Sequence, residues 1–165
     1  MSVLGSPRDW TDLLEQMLPQ ILRLVTDTWR ALDHPLGSDK EDHITCWLCR
    51  ALRQNRTVRG LPLYVQTQMV ELEPTAGQDL GRVDIAFLPT GLPGAPDENI
   101  YFCLECKRLN VLKNGRRRAL ASDYVQHGML RFVSGQYSRC VRHGGMLGYV
   151  FDGDVEAALA NIETN

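Results

Sequence analysis

Two short stretches, Gly81 to Leu88 (GRVDIAFL) and Ile100 to Lys107 (IYFCLECK), decide how this chain is read. Each is apolar enough for a buried strand, yet the first holds Asp84 and the second holds Glu105 and Lys107. The two-residue period of a strand turns Glu105 and Lys107 to one face and Cys106 to the other; if the strands are neighbours, Asp84 joins them. A charge buried alone in such a strand costs several kcal/mol. Three of them therefore imply mutual pairing, a bound cation or an exposed edge. Asp plus Glu with a lysine alongside is an oxygen-only donor set, which suits magnesium or manganese. The bland alternative is a cross-strand ion pair on a solvated sheet face.

Upstream, Leu61 to Glu73 (LPLYVQTQMVELE) alternates apolar with polar residues and predicts a long strand with one wet face, where Glu71 and Glu73 would lie. Turns at Pro74 and Gly77 and a Pro/Gly-rich loop over Pro89 to Pro96 make an antiparallel meander of these three strands. Before them, Ser38 and Glu41 have the spacing of a capping box, predicting a helix to about Asn55 with an apolar stripe of Ile44, Trp47, Leu48, Ala51 and Leu52. Glu41 lies one turn before Ile44, so it either caps the Ser38 amide or faces inward; Asp42 is its reserve. Residues 9 to 32 have helical apolar spacing interrupted by Pro19, which predicts a kinked helix or two short ones.

Downstream, Asn110 to Arg118 (NVLKNGRRR) reads as an exposed basic loop. A helix over Ala121 to Val133 follows, with Val125, Met129, Phe132 and Val133 as its apolar side and Gly135 as its stop. Gly144 to Phe151 predicts a short strand and Val155 to Ile162 a closing helix. Residues 1 to 37 are thus an N-terminal helical extension and 38 to 165 one α/β domain.

Charge follows the same division. The 165 residues contain 18 Lys and Arg against 20 Asp and Glu, a net charge of −2. Yet Lys107 to His143 carries nine Lys or Arg and one acid, Asp123, a local balance of +8 that begins at the lysine beside Glu105. No apolar run reaches the roughly 18 to 20 residues needed to cross a bilayer, and Pro7, Arg8 and Asp9 interrupt what a signal peptide would keep apolar. A cytoplasmic protein without membrane contact is expected, its five cysteines reduced. Cys46-x-x-Cys49 and Cys103-x-x-Cys106 mimic a four-thiolate zinc site, which would make a zinc-stapled interaction domain. Their placement in a helix and a strand, where the residues of the strand pair face opposite ways, favours buried thiols instead. His34, His43, His127 and His143 have no nucleophile beside them.

Asp84, followed by Glu105-Cys106-Lys107 within a helix, three strands, helix, strand order, resembles the PD-(D/E)xK nuclease superfamily over residues 38 to 152. Val83 stands where the written motif has proline. The resemblance implies a restriction-endonuclease-like core, a mixed sheet flanked by helices, and a Mg2+- or Mn2+-dependent endonuclease hydrolysing phosphodiester bonds of DNA, RNA not being excluded. It further implies that Asp84 and Glu105 hold the metal, with the Cys106 carbonyl and Glu41 contributing, and that Lys107 orients water and stabilises charge on the phosphate. Lys113, Arg116, Arg117, Arg118, Gln126 and Arg131 are then the candidates for the nucleic-acid backbone. At the level of the family, such a small nuclease resembles bacterial restriction or phage-defence components, acting as a homodimer or as a subunit of a larger defence complex. The alternative is a catalytically silent or partner-activated nucleic-acid-binding module of the same fold.

Overall fold

The computed structural model describes residues 7–33, 39–72, 77–90, 101–137 and 143–165, the side chains of 7–11 excepted. It is a mixed α/β structure with a mixed four-stranded sheet flanked by helices. The elements are α1 (Pro7–Ala31), α2 (Glu41–Gln54), the single turn α3 (Arg56–Arg59), β1 (Leu63–Leu72), β2 (Asp79–Pro89), β3 (Phe102–Leu109), β4 (Val111–Lys113), β5 (Arg116–Arg118), α4 (Ala121–Tyr124), α5 (Leu130–Val133), β6 (Gly144–Val150) and α6 (Val155–Glu163). A π-helical turn over Val125–Met129 joins α4 to α5. Among the described residues no helix is long and apolar enough to cross a membrane.

The sheet order is β1-β2-β3-β6, with β1, β2 and β3 antiparallel in sequence and β6 parallel to β3. The predicted meander is therefore present, and the helical crossover from β3 to β6 supplies the parallel edge. One face of the sheet packs Ile85, Phe87, Leu104 and Cys106 against Ile44, Leu48 and Leu52 of α2 and Leu14, Ile21 and Val25 of α1. On the other, Val83, Ala86, Tyr101, Cys103 and Tyr137 form a second, smaller cluster.

Several local expectations need correction. Helix α1 runs unbroken through Pro19. Pro19 is exposed, so the turn that lacks one hydrogen bond lies on the solvent side, where water satisfies the freed carbonyl. Helix α2 starts at Glu41 with Lys40 as its N-cap and no side-chain cap, while Ser38 lies outside the described residues. Its buried stripe is Ile44, Thr45, Leu48, Cys49 and Leu52; Trp47 is 53% exposed. Glu71 is buried and accepts a hydrogen bond from the Tyr101 hydroxyl, so it is not on a wet face; Glu73 lies outside the described residues.

The predicted basic loop is a hairpin, β4 pairing with β5 through Asn114 and Gly115. Both turn residues have positive φ, 52° and 71°, the geometry of a two-residue type I′ turn that Asn-Gly favours. In the helical rod over residues 121–133 the π turn inserts an extra residue, which turns part of the predicted apolar side outward, while Phe132 still packs against the smaller cluster. Val133 is consequently 78% exposed and Met129 39% exposed, whereas Ala121 and Gly128 are buried.

Gly128 is where this rod touches the sheet. A Cβ there would collide with the Met146 thioether methyl and come within 3.6 Å of Lys107 Cγ. Met146 is flexible enough to yield to one methyl, but not to a branched side chain. Gly128→Val is expected to destabilise the protein by about 1–3 kcal/mol, while Gly128→Ala stays within about 1 kcal/mol of wild type; paired urea titrations measure both.

Candidate active site

The ladder between β2 and β3 covers Ile85 to Phe87 against Phe102 to Leu104 and ends there. Beyond it Asp84 takes the place of a main-chain partner: its Oδ2 accepts the Cys106 N–H at 2.7 Å. Oδ1 accepts from Gln68 Nε2 at 2.9 Å. Gln68 sits on β1 with φ +51°, a left-handed residue inside a strand, where a side chain with a Cβ is strained. That strain lies directly beside Asp84, and sequence reasoning missed it because nothing about a glutamine in an alternating strand announces a positive φ.

Glu105 is 1% exposed. Its Oε1 accepts from Lys107 Nζ at 2.7 Å and from Arg131 Nη1 at 2.9 Å, while Oε2 is buried without a hydrogen-bond partner. Lys107 Nζ also donates to Glu41 Oε1 at 3.2 Å and to the Cys106 carbonyl at 2.9 Å. Glu41 Oε2 accepts the Arg108 N–H at 3.0 Å. Both Glu41 oxygens are therefore engaged across the fold with β3, which is the inward-facing reading of this residue. Asp84, Glu105, Lys107 and Glu41, from β2, β3 and the first turn of α2, are brought together as one cluster.

The electrostatics record that crowding. Burial pushes the Asp84 carboxyl above its usual range, opposed by the Cys106 N–H and the Lys107 charge, while the Glu41 charge adds to the rise. Burial, then the neighbouring Asp84, push Glu105 up to about 6. For Lys107 burial favours the neutral amine, but the Glu105 bond and the charges of Glu105, Glu41 and Asp84 prevail and hold it above its usual value. Carboxylates raised in this way hold unfavourable negative charge that an added cation would relieve.

A stability signature follows. Because the folded-state pKa of Glu105 exceeds its ordinary 4.5, folding favours its protonated form. Its contribution is present below about pH 4.5 and is lost, by about 2 kcal/mol, as pH rises through about 6. Glu105→Gln removes the titration. In chelator, the stability of this variant relative to wild type is expected to rise by that amount between pH 4.5 and 7.5; a flat difference in urea titrations would contradict the assignment.

Other candidates are placed as follows. Arg131 holds Glu105 and stands against Tyr137, its Nη1 2.5 Å from the tyrosine oxygen and its guanidinium 5.4 Å from the ring centre. Tyr137 donates in turn to the Arg82 carbonyl at 2.7 Å, so β2, β3 and the helical rod are tied through one chain of bonds. Gln126 is exposed on the rod and forms no hydrogen bond with the cluster. Lys113, Arg116 and Arg118 are exposed, but Arg117 is paired with Asp152 at 3.1 Å and Asp154 at 3.3 Å, which ties the hairpin to the start of α6. Of the cysteines, Cys49, Cys103 and Cys106 are buried and Cys46 is exposed, and Cys140 lies outside the described residues. Burial pushes the Cys49 and Cys103 thiols up to about 12, so they stay protonated. His143 Nε2 lies 3.0 Å from Glu15 Oε1.

Among the described residues no three His, Cys, Asp or Glu side chains stand at metal-binding separations. The oxygens are nevertheless gathered. Glu105, Glu41 and the Cys106 carbonyl, three of the donors assigned to a metal from sequence, surround the Lys107 ammonium, and Glu105 Oε2 remains without a partner. The donor chemistry fits a hard divalent cation competing with the lysine for these atoms. Compared with known proteins, the chain matches no family model, no curated protein and no solved structure.

Proposed function

We propose that this chain is a metal-dependent phosphodiesterase acting on DNA, with a restriction-endonuclease-like core and its active site at Asp84, Glu105, Lys107 and Glu41. The observation that carries the reading is the convergence of Glu105 and Glu41, from a strand and a helix, on one lysine, with the Asp84 carboxylate held on the adjacent Cys106 N–H at the point where the β2-β3 ladder ends. A solvated cross-strand ion pair explains neither the burial of Glu105 nor its unpartnered oxygen.

Asp84 and Glu105 would hold the Mg2+ or Mn2+, with the Cys106 carbonyl and Glu41 at its margin. When bound, such an ion polarises a phosphoryl oxygen and lowers the pKa of water. The remaining work belongs to the chain. Gln68 and the Cys106 N–H fix the Asp84 carboxylate, and Arg131, backed by Tyr137, fixes Glu105. Lys107 supplies a positive charge for the phosphate and a donor to orient water, and Lys113, Arg116 and Arg118 offset repulsion of the flanking strand. The test is cleavage of plasmid and linear DNA in Mg2+ or Mn2+ against chelator. Metal-dependent cleavage abolished by Asp84→Ala is expected; no cleavage with either metal, or full cleavage by the variant, would overturn it.

A second reading is favoured by one observation, the lysine occupying the donors. On it the fold binds nucleic acid without turnover, or turns over only when a partner draws Lys107 away. Steeply salt-dependent DNA binding with no metal-dependent cleavage would select it.

A further inference from the structure

A cavity of about 540 Å³ opens beside the β4-β5 hairpin, lined by Arg108, Val111, Leu112, Lys113, Asn114, Arg118, Leu120 and Asp123. Its charge is set by the hairpin register. Val111 faces Arg118 and Lys113 faces Arg116, whereas Leu112 faces Arg117, so strand alternation separates Arg118 and Lys113 from Arg117. Arg117 is neutralised by Asp152 and Asp154, but Arg108, Lys113 and Arg118 have no ion pair among the described residues, with Asp123 or any other acid. Arg108 is also the best anchored of the three: its Nη1 donates to the Asp39 carbonyl at 3.0 Å, and its Nε is buried without an acceptor. Three unneutralised cations around one cavity define an anion site.

The rest of the wall says which anion. The volume far exceeds that of a phosphate and falls in the range of small-molecule pockets. Val111 and Leu120 offer apolar surface for a flat ring, and Asp123 and Asn114 offer acceptors and donors for hydroxyl or amino groups. We infer that this cavity binds a nucleoside phosphate, its phosphate held by Arg108, Lys113 and Arg118 and its base against Val111 and Leu120.

Charge and shape identify the ligand class; that the unit belongs to a bound strand rests on the phosphodiesterase reading. Arg108 connects the two places, since its main-chain N–H and the Lys107 ammonium share the Glu41 carboxylate.

Titration of the full chain in chelator with 2′-deoxyadenosine 5′-monophosphate, followed by calorimetry, tests this. One binding site per chain is expected, at least roughly tenfold weaker in Arg118→Glu and in Lys113→Glu, unchanged in Asp84→Asn, and weaker for inorganic phosphate and for deoxyadenosine. Both mutated positions are exposed, and thermal melting confirms that the variants fold. No binding at millimolar nucleotide, equal binding of inorganic phosphate, or variants indistinguishable from wild type would overturn the inference. Displacement of the mononucleotide by a short oligodeoxynucleotide assigns the site to a strand, and failure to displace it assigns the site to free mononucleotide; both retain the nucleoside phosphate as ligand. Nucleotide binding without DNA cleavage would sink only the phosphodiesterase reading, and cleavage without nucleotide binding would sink only the cavity.

Discussion

Lys107→Met is expected to lower metal-dependent DNA cleavage by roughly two to four orders of magnitude while binding Mn2+ at least about tenfold more tightly than wild type. The two effects have one cause. The ammonium lies 2.7 Å from Glu105 Oε1, 2.9 Å from the Cys106 carbonyl and 3.2 Å from Glu41 Oε1, so it occupies the oxygens a divalent cation would use. Methionine keeps the length and apolar contacts of the lysine stem beside Gly128 but removes the competing charge. The carboxylates then meet the metal without first giving up a salt bridge. Cleavage falls because the charge facing the phosphate is lost. A purely structural lysine would give a different pattern, with metal affinity unchanged and stability reduced, because a buried Glu105 would be left with Arg131 alone. Isothermal titration with Mn2+ and a plasmid-nicking assay on the same preparation separate the two.

The largest effect on stability is expected at Tyr149. Its side chain is fully buried, its hydroxyl lies 3.1 Å from Thr45 Oγ1, and its ring stands 5.0 Å from that of Trp29. One residue of β6 thereby joins α1 and α2 to the sheet. Tyr149→Ala is expected to cost about 3–5 kcal/mol, a large share of the roughly 5–15 kcal/mol by which domains of this size are stable. Tyr149→Phe retains the ring and removes the hydroxyl that Thr45 and the Cys106 thiol share, for about 1–3 kcal/mol. Urea unfolding in chelator measures both. An alanine variant as stable as wild type would show that α1 and α2 are not held through this residue.

The legible parts of the molecule are those that rest on a period. Alternation over β1 to β3 and the spacing of Glu105 and Lys107 were enough to place both charges on one side of a strand, and Asp84 followed from neighbouring strands. Glu41 was half legible: the residue one turn before Ile44 shares its side of α2, but its spacing from Ser38 offered a helix cap as the alternative. What periodicity does not encode went unread. The strain at Gln68, the π turn that exposes Val133 and the exposure of Trp47 are decided by tertiary packing. Tyr137 reaches Arg131 and the Arg82 carbonyl through contacts with no sequence pattern behind them. The hairpin at Asn114 and Gly115 is a different case: the Asn-Gly signal was present, and the surrounding basic residues disguised it as a loop. Pro19 shows the reverse, a helix breaker tolerated where water satisfies the freed carbonyl.

At the centre stands the claim that Asp84 and Glu105, on strands that part beside them, serve one divalent cation. Mn2+ binding followed by electron paramagnetic resonance on the wild type, Asp84→Asn and Glu105→Gln tests it most directly. One bound ion per wild-type chain, with affinity lowered at least roughly tenfold in each variant, is the expected result. Manganese that does not bind, or that binds all three proteins alike, would contradict it.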